Sequence, residues 1–361
     1  MGIHAMESRR VRDRDASVPA IRRRSPVVCV AESRQWCEPG IRVLIASLAA
    51  HNPDVPVELF FPVASDAFVK WLGAYPNVRL NAHMLQGPWR SWNIKPEAML
   101  ALLAAGHDDV LWVDTDVIVT SDLSRIYDGQ PMEAIVVAEE AMCQSHYDGD
   151  AMRARGWGLE IGRSLPFQLN GGVVGFTNRH VDFIRRWETV LNSDEYLKAQ
   201  KLPWDQRPRH FIADQEVLTA LLCSTEYSHF PLRFLRRGRE VIQYFGPSGY
   251  TVLERWINLR QGMPIFIHSQ GHKAWLPLPD ARGLRGALRR LYQDLSPYRV
   301  TARAYRDQLD DAAWLEPSTT AGRLLTGVAG ARAPLVGLPI ALVNDAIRYV
   351  KWPHTGGEPR R

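Results

Sequence analysis

The sequence predicts an α/β fold in which helices flank a mixed, mostly parallel sheet, followed by a C-terminal helical extension. Short apolar runs rich in β-branched residues alternate with segments whose apolar residues follow helical spacing. Asp114 and Asp116 interrupt one such run, 110–119, which is otherwise apolar and typical of a buried strand. The 361 residues suffice for one large α/β domain with attachments, or for two domains.

The predicted elements follow in order along the chain. A helix over 40–50 ends at His51-Asn52-Pro53, and a helix over 96–105 ends at Gly106. A helix over 214–222 begins with Asp214, where the helix dipole favours negative charge. Further helices are predicted over 181–191, 282–292 and 301–309. The predicted strands cover 27–31, 57–61, 78–80, 110–119, 134–138, 172–176 and 264–268.

Charge and apolar pattern divide the chain into three predicted parts. Residues 1–25 form a basic segment predicted to be disordered, 26–280 form the α/β domain, and 281–361 form the helical extension. Residues 1–24 carry a net charge of +4 and residues 281–361 a net charge of +6. Because the whole chain has a net charge of +5, the main domain has a net charge of −5. This distribution argues against a nucleic acid partner, because such a partner requires a basic stripe on the folded domain.

The stretch 324–343 is largely apolar, but Arg332 and Pro334 interrupt it and it contains three glycines. A membrane-spanning helix needs roughly 20 unbroken apolar residues. Two interpretations remain, a packed helical hairpin or a segment lying at a membrane surface. Arg348, Lys351 and Trp352 suit the second interpretation, which implies peripheral membrane contact.

The cysteines favour a reducing compartment. Cys29, Cys37, Cys143 and Cys223 are scattered and form no C-x-x-C pair, which argues against a zinc site or a disulfide framework. The basic N-terminal segment is followed by no apolar stretch of the kind found in secretory signals. We therefore predict a cytoplasmic protein, with a position on the inner face of the membrane as an extension of that prediction.

Asp114 and Asp116 predict a metal site. In an extended strand, residues two apart point to the same side, so both carboxylates can face one divalent cation. A hard cation held by few carboxylates completes its shell with water and substrate phosphates. The alternative is that the strand ends at Val113 and both aspartates are solvated turn residues.

Three further motifs lie where an α/β enzyme places functional groups. Lys95, at a predicted helix start, is either a phosphate ligand or a solvated lysine. Asn170-Gly171-Gly172 precedes a predicted strand and permits a tight turn or close approach to a ligand. Asp214 and Gln215 either hydrogen-bond ligand hydroxyls or simply cap their helix.

A last motif follows the final predicted strand. His268 ends that strand, and an imidazole together with two carboxylates suits Mn²⁺ better than Ca²⁺. Lys273 is placed to neutralise a diphosphate, and Gly271 allows that diphosphate to approach. The alternative is a structural histidine followed by a surface loop.

The ordered set D-x-D, N-G-G, D-Q and H-x-x-G-x-K-x-W resembles the GT-A glycosyltransferases of the glycogenin and bacterial lipopolysaccharide galactosyltransferase type, over about residues 26–278. The resemblance implies a single nucleotide-binding domain in which Mn²⁺ or Mg²⁺ bridges the enzyme to the diphosphate of a nucleotide sugar. It implies metal ligands at Asp114, Asp116 and His268, and a phosphate ligand at Lys273. It also implies sugar contacts at Asn170, Gly171, Asp214 and Gln215, and nucleoside contacts at Ala31 and Glu32.

The predicted function is therefore metal-dependent hexosyl transfer from a nucleotide sugar, expected to be a UDP-sugar, with retention at the anomeric carbon. Lys273 and Lys95 would stabilise the leaving diphosphate, and Gln215 would lie near the anomeric carbon. The acceptor is predicted only as a sugar, a lipid-linked molecule or a small molecule. It would stack on loop tryptophans, unless these are packing residues: Trp89, Trp92, Trp157 and Trp204.

Two alternatives remain. A nucleotidyltransferase that makes nucleotide sugars would carry a glycine-rich phosphate loop after the first strand, and residues 30–37 contain no glycine. A non-catalytic carbohydrate-binding or scaffold protein would share the fold without turnover.

Overall fold

The computed structural model describes residues 24–81, 85, 93–140, 149–244, 249–278, 283–330 and 332–351. The predictions for residues 1–23, Trp89, Trp92, Cys143 and Trp352 lie outside this part of the chain. The strands are β1 Val27–Ala31, β2 Val57–Phe60, β3 Val78–Asn81, β4 Asp109–Val113, β5 Val117–Val119, β6 Ile135–Glu139, β7 Leu169–Thr177, β8 Leu232–Leu235, β9 Val241–Gln243 and β10 Phe266–His268.

Helices separate most of these strands. The first seven are α1 Glu38–His51, α2 Asp66–Leu72, α3 Ile94–Ala104, α4 Gly149–Gly156, α5 Val181–Leu191, α6 Asp194–Ala199 and α7 Asp214–Cys223. The others are α8 Val252–Gln261, α9 Gly283–Asp294, α10 Pro297–Ala302, α11 Thr320–Ala329, α12 Ala333–Val336 and α13 Leu338–Lys351.

The main sheet has seven strands in the order β3-β2-β1-β4-β7-β6-β8. Strand β7 runs antiparallel to both of its neighbours, and the other pairings are parallel. A second sheet, β5-β10-β9, lies beside it. The predicted fold class, a mixed and mostly parallel sheet with flanking helices and a helical extension, is confirmed.

The run 110–119 is not one strand, as the sequence predicted, but two strands in different sheets. Strand β4 pairs with β1 and β7 in the main sheet, whereas β5 pairs with β10 in the small sheet. Asp114 and Asp116 lie in the turn between them, which a hydrogen bond from the Val117 amide to the Asp114 carbonyl closes at 3.1 Å. The prediction that both carboxylates share one side of an extended strand was therefore wrong in its geometry.

The main sheet is covered on both faces. Helices α3, α5 and α7 pack against one face, where Met99, Trp187 and Leu218 belong to one buried cluster. Helices α1 and α2 contribute Leu44 and Phe68 to the cluster that includes alternate strand residues such as Val28. Because the sheet is buried on both faces, the sequences of its central strands consist largely of consecutive apolar residues.

The C-terminal helices pack on one another and on the small sheet. Asp294, fully buried at the end of α9, accepts hydrogen bonds from Arg299, Ser318 and Thr319 and so ties three segments together. The apolar stretch 324–343 is divided among α11, α12 and α13, and Ala333 and Val336 are buried. Within the described residues, no helix is long and apolar enough to cross a membrane.

Arg24 corrects the predicted boundary of the N-terminal segment. Its guanidinium donates to both oxygens of Asp109, each at 2.6 Å, and to the Ala134 carbonyl at 2.8 Å. Arg24 lies over the Tyr127 ring and is buried. A buried, fully paired arginine belongs to the folded domain, so the folded part begins no later than residue 24.

Candidate functional site

A cavity of about 340 Å³ opens where β1 and β4 end. The chain leaves β1 for β2 on one side, and leaves β4 through β5 of the small sheet for β6 on the other side. The strand order thus reverses between β1 and β4, and such a switch point is where open α/β sheets bind ligands. Ala31 and Glu32 line the cavity after β1, and Asp114 and Asp116 line it after β4. Lys95, Arg34 and Lys273 add positive charge to the same wall.

Asp116 is buried at 2% exposure, whereas Asp114 is half-buried. The Trp112 indole donates to Asp114 Oδ1 at 2.7 Å. The sequence left open that the strand ends at Val113 and that both aspartates are solvated turn residues. The strand does end at Val113, but Asp116 is buried and not solvated. A buried carboxylate requires compensating charge or hydrogen bonds.

His268 completes a group of three metal-type ligands. It pairs with Val117 and Gln243 on the adjacent strands of the small sheet, which places its Nε2 3.4 Å from Asp116 Oδ1. Within the described residues, one ligand atom each of Asp114, Asp116 and His268 lie within 4.8 Å of one another. Two carboxylates and one imidazole at this spacing could hold a divalent metal ion.

Lys273 provides the positive charge nearest to Asp116, with its Nζ 2.5 Å from Asp116 Oδ2. Burial opposes ionisation of this carboxyl, but Lys273 and His268 outweigh it and hold the pKa of Asp116 well below its usual range. Gly271 in the same loop has φ 89°, a left-handed conformation that favours glycine. Gly271 thus shapes the loop that returns Lys273 to the carboxylate.

Lys95 does not point into free solvent. Its Nζ donates to the Gly171 carbonyl at 2.8 Å and lies 3.0 Å from Asp214 Oδ2 and 3.3 Å from Asp114 Oδ1. Burial opposes the charge on Lys95, but the two aspartates outweigh it and raise the pKa of the ammonium. Lys95 therefore links the predicted metal ligand Asp114 to the predicted sugar ligand Asp214.

Gly171 and Gly172 lie inside β7 rather than in a turn before it. A Cβ on Gly172 would lie 2.5 Å from Cε1 of His268, and one on Gly171 would lie 2.9 Å from Asp214 Oδ2. Of the two alternatives, the tight turn was therefore wrong, and close approach of other groups to the backbone accounts for both glycines. The groups that approach are side chains of the site itself.

Glu140, which the sequence analysis did not identify, joins several predicted residues. Its Oε2 accepts hydrogen bonds from Asn170 Nδ2 at 2.9 Å, Gln215 Nε2 at 3.2 Å and Gln270 Nε2 at 3.0 Å. These donors come from β7, from α7 and from the loop after β10. The signal was in the sequence, because Glu140 follows an apolar strand just as Asp114 does.

Glu32 is occupied by its own loop. Its carboxylate accepts from Arg34 Nε at 2.8 Å and Arg34 Nη2 at 2.7 Å, and from the backbone of Ser33 at 2.8 Å. Burial opposes its ionisation, but Arg34 outweighs burial and lowers the pKa of Glu32. The Arg34 guanidinium lies 4.7 Å from the centre of the Trp36 ring. Arg34 therefore places a cationic group at this end of the cavity.

Two of the predicted acceptor tryptophans can be located. Trp157 is half-buried, packs edge-to-face on Phe211 and donates to the His210 carbonyl, which fits a packing role. Trp204 is 55% exposed and lies beside Arg207, a residue of the cavity wall.

No protein-family model matches the chain, and no curated protein matches it in sequence. Solved structures of similar fold include the bifunctional glycosyltransferase WbbM, the galactosyltransferase LgtC in complex with donor and acceptor sugar analogs, and mouse xyloside xylosyltransferase 1. The identities are 15%, 16% and 14%, and the TM-scores are 0.41, 0.45 and 0.43. The matches use 70%, 78% and 70% of this chain and cover 47%, 99% and 99% of the others, so the chain spans about half the length of WbbM. At these identities the matches concern the fold alone.

Proposed function

We propose that the chain is a metal-dependent hexosyltransferase that moves a sugar from a nucleotide diphosphate sugar to a hydroxyl group of an acceptor. The observation that carries this proposal is the convergence of Asp114, Asp116 and His268 beside a cavity at the switch point of the sheet. A metal ion held there would supply Lewis-acid stabilisation of the leaving diphosphate.

Lys273 is the residue we assign to the leaving group. Its ammonium lies on the cavity wall beside the metal ligands, where negative charge would grow on the departing diphosphate. A fixed positive charge at such a place lowers the barrier because its effect increases toward the transition state. The side chain of Lys95 is only 4% exposed, against 19% for Lys273, and Lys95 already contacts Asp114 and Asp214. We therefore assign Lys95 to orienting these carboxylates rather than to the phosphates.

Asp214 and Asn170 are the proposed ligands of the sugar hydroxyls. Gln215, held by Glu140, would lie close to the anomeric carbon. An amide is a poor nucleophile, so a front-face substitution is favoured over a covalent intermediate. The acceptor oxygen would bond to the anomeric carbon on the face that the diphosphate leaves, and its proton would pass to the leaving phosphate oxygen. This course retains the anomeric configuration.

We propose that the end of the cavity near Ala31, Glu32 and Arg34 binds the nucleoside, and that this nucleoside is uridine. The acceptor is proposed as a sugar, a lipid-linked molecule or a small molecule. Cys29, Cys37 and Cys223 are buried thiols, which fits the proposed cytoplasmic location.

The test is a thermal-shift panel of nucleotide sugars with and without Mn²⁺, followed by transfer assays with the sugar that binds. A ligand at about 100 times its Kd stabilises a protein by roughly 2.7 kcal/mol, which is a shift of a few degrees. We expect a Mn²⁺-dependent shift with one UDP-sugar. Asp116→Asn should abolish the shift and the turnover, while the exposed Asp128→Asn should preserve both.

Three results would contradict the proposal. If Asp116→Asn kept near wild-type turnover, Asp116 would not be a ligand of a metal ion that the reaction requires. Metal-dependent UDP-sugar binding without hydrolysis or transfer would indicate a non-catalytic carbohydrate-binding or scaffold protein. Release of pyrophosphate from a nucleoside triphosphate and a sugar phosphate would indicate a nucleotidyltransferase.

A further inference from the structure

Four C-terminal helices, α8, α9, α11 and α13, expose a concentration of apolar side chains. The described residues include seventeen large hydrophobic residues that are exposed, and ten of them lie on these helices. The four helices make up only about an eighth of the chain. Scattered exposed apolar residues are ordinary, but such a concentration indicates an interaction surface.

The exposed residues follow helical spacing. Leu284 and Leu288 on α9 are 77% and 43% exposed, and Leu324 and Val328 on α11 are 65% and 89% exposed. In each pair the residues are four apart, so they lie one above the other on the same helix face. Each of these helices thus carries an apolar stripe that turns away from the protein.

The other two helices repeat the pattern. Leu253 and Trp256 on α8 are three apart, and Val343 and Ile347 on α13 are four apart, and all four are exposed. Helix α13 packs on α8, and α11 packs on α9 and α12. The inward faces of α9, α11 and α13 pack against the buried cluster around Leu295, and α8 buries Glu254, Arg255 and Asn258. We name the exposed surfaces of α8, α9, α11 and α13 the C-terminal face.

The charges of the C-terminal face have one sign. Its exposed charged residues, within the part of each helix whose side chains the structure describes, are all arginines: Arg260, Arg285, Arg289, Arg290 and Arg323. The acidic residues of the same helices are turned inward: Glu254 and Asp294 are buried, and Asp345 accepts a hydrogen bond from the Val252 amide. The face therefore combines apolar stripes with cationic side chains.

We propose that the C-terminal face docks on the surface of a bilayer that contains anionic phospholipids. Amphipathic helices with leucine, valine and tryptophan beside arginine lie in the plane of such a surface, with the apolar residues among the acyl chains. The Arg260 guanidinium lies 4.4 Å from the centre of the Trp256 ring, an aromatic–cation pair suited to the headgroup level. A second copy of the same face fits less well, because its arginines would meet like charge.

The experiment is sedimentation of the full chain with vesicles of phosphatidylcholine alone and of phosphatidylcholine with one quarter phosphatidylglycerol. We expect at least about tenfold stronger partitioning to the anionic vesicles, since each basic residue near an anionic surface contributes about fivefold. Raising the salt to roughly 0.5 M should weaken it, because the Debye length then falls below that at physiological salt.

Two variants test the face directly. Arg285→Glu with Arg289→Glu should reduce partitioning about tenfold or more, whereas Arg185→Glu with Arg186→Glu makes the same charge change on exposed residues of α5 and should leave most of the binding. Leu324→Ser with Val328→Ser should also reduce binding, whereas Val63→Ser with Val69→Ser, exposed apolar residues elsewhere, should not.

The outcomes separate this proposal from the proposed function, because vesicle binding requires no nucleotide sugar, metal or turnover. Equal binding to neutral and anionic vesicles, or equal loss with both charge variants, would overturn it. So would a dimer in sedimentation equilibrium that Leu324→Ser with Val328→Ser dissociates, since the face would then join two copies of the chain.

Discussion

Gln243 Oε1 lies 2.8 Å from Nδ1 of His268, on the adjacent parallel strand. With a metal ion bound at Nε2, the ring nitrogen that lies near Asp116, Nδ1 would donate to this amide oxygen. A hydrogen bond to the far nitrogen fixes both the tautomer and the ring orientation of a metal-binding histidine. We therefore propose that Gln243 positions His268 in the candidate metal site.

We expect Gln243→Leu to weaken Mn²⁺ binding by about 10- to 100-fold, the usual cost of losing such a partner. Gln243→Glu keeps an acceptor at the same place and should restore most of the affinity. Isothermal titration with Mn²⁺ alone measures both variants. Wild-type affinity in Gln243→Leu would show that the pair does not orient the imidazole.

Lys95 bridges the buried Asp214 and the half-buried Asp114, and Lys95→Met should leave the buried Asp214 without its counter-charge. Breaking a buried ion pair from one side typically costs about 3–5 kcal/mol of unfolding free energy. Lys95→Arg keeps the charge and should lose less. Urea denaturation of both variants is the measurement, and a loss below about 1 kcal/mol in Lys95→Met would mean that solvent compensates Asp114 and Asp214.

Glu216 should make the stability depend on pH. Burial raises the pKa of Glu216 to about 7, from an ordinary value of 4.5. Between these two values the native chain binds more protons than the unfolded chain, so the unfolding free energy falls as the pH rises, by up to about 1.4 kcal/mol per pH unit. Glu216→Gln should remove this fall between pH 5 and pH 7. The same pH dependence in wild type and Glu216→Gln, measured by urea denaturation, would contradict the assignment.

The Arg24–Asp109 pair should anchor the start of the folded domain. Asp109→Asn would leave the buried guanidinium without its counter-charge, and we expect it to lower the unfolding free energy by about 3–5 kcal/mol. The neighbouring Asp108 is exposed, so Asp108→Asn is the matched control, with an expected loss below about 1 kcal/mol. Similar losses in the two variants would indicate that the pair contributes little.

Several elements follow from local sequence because their physical cause is local. Strand β1 and helix α5 have the predicted bounds, since one is a continuous apolar run and the other has strong helical periodicity. Strands β8 and β9 and helix α8 were not predicted. The short β9 carries Gln243, whose role depends entirely on the strand beside it.

The sequence by itself determined the α/β class and the residue types of the candidate site, because burial periodicity and carboxylates after apolar strands are local features. Only the tertiary structure decided the geometry. It divided one apolar run between two sheets, paired Lys95 with aspartates 19 and 119 positions away, and placed Glu140 among amides from three elements. Such contacts depend on strand order and sheet packing, which bring distant residues together and which no local pattern encodes.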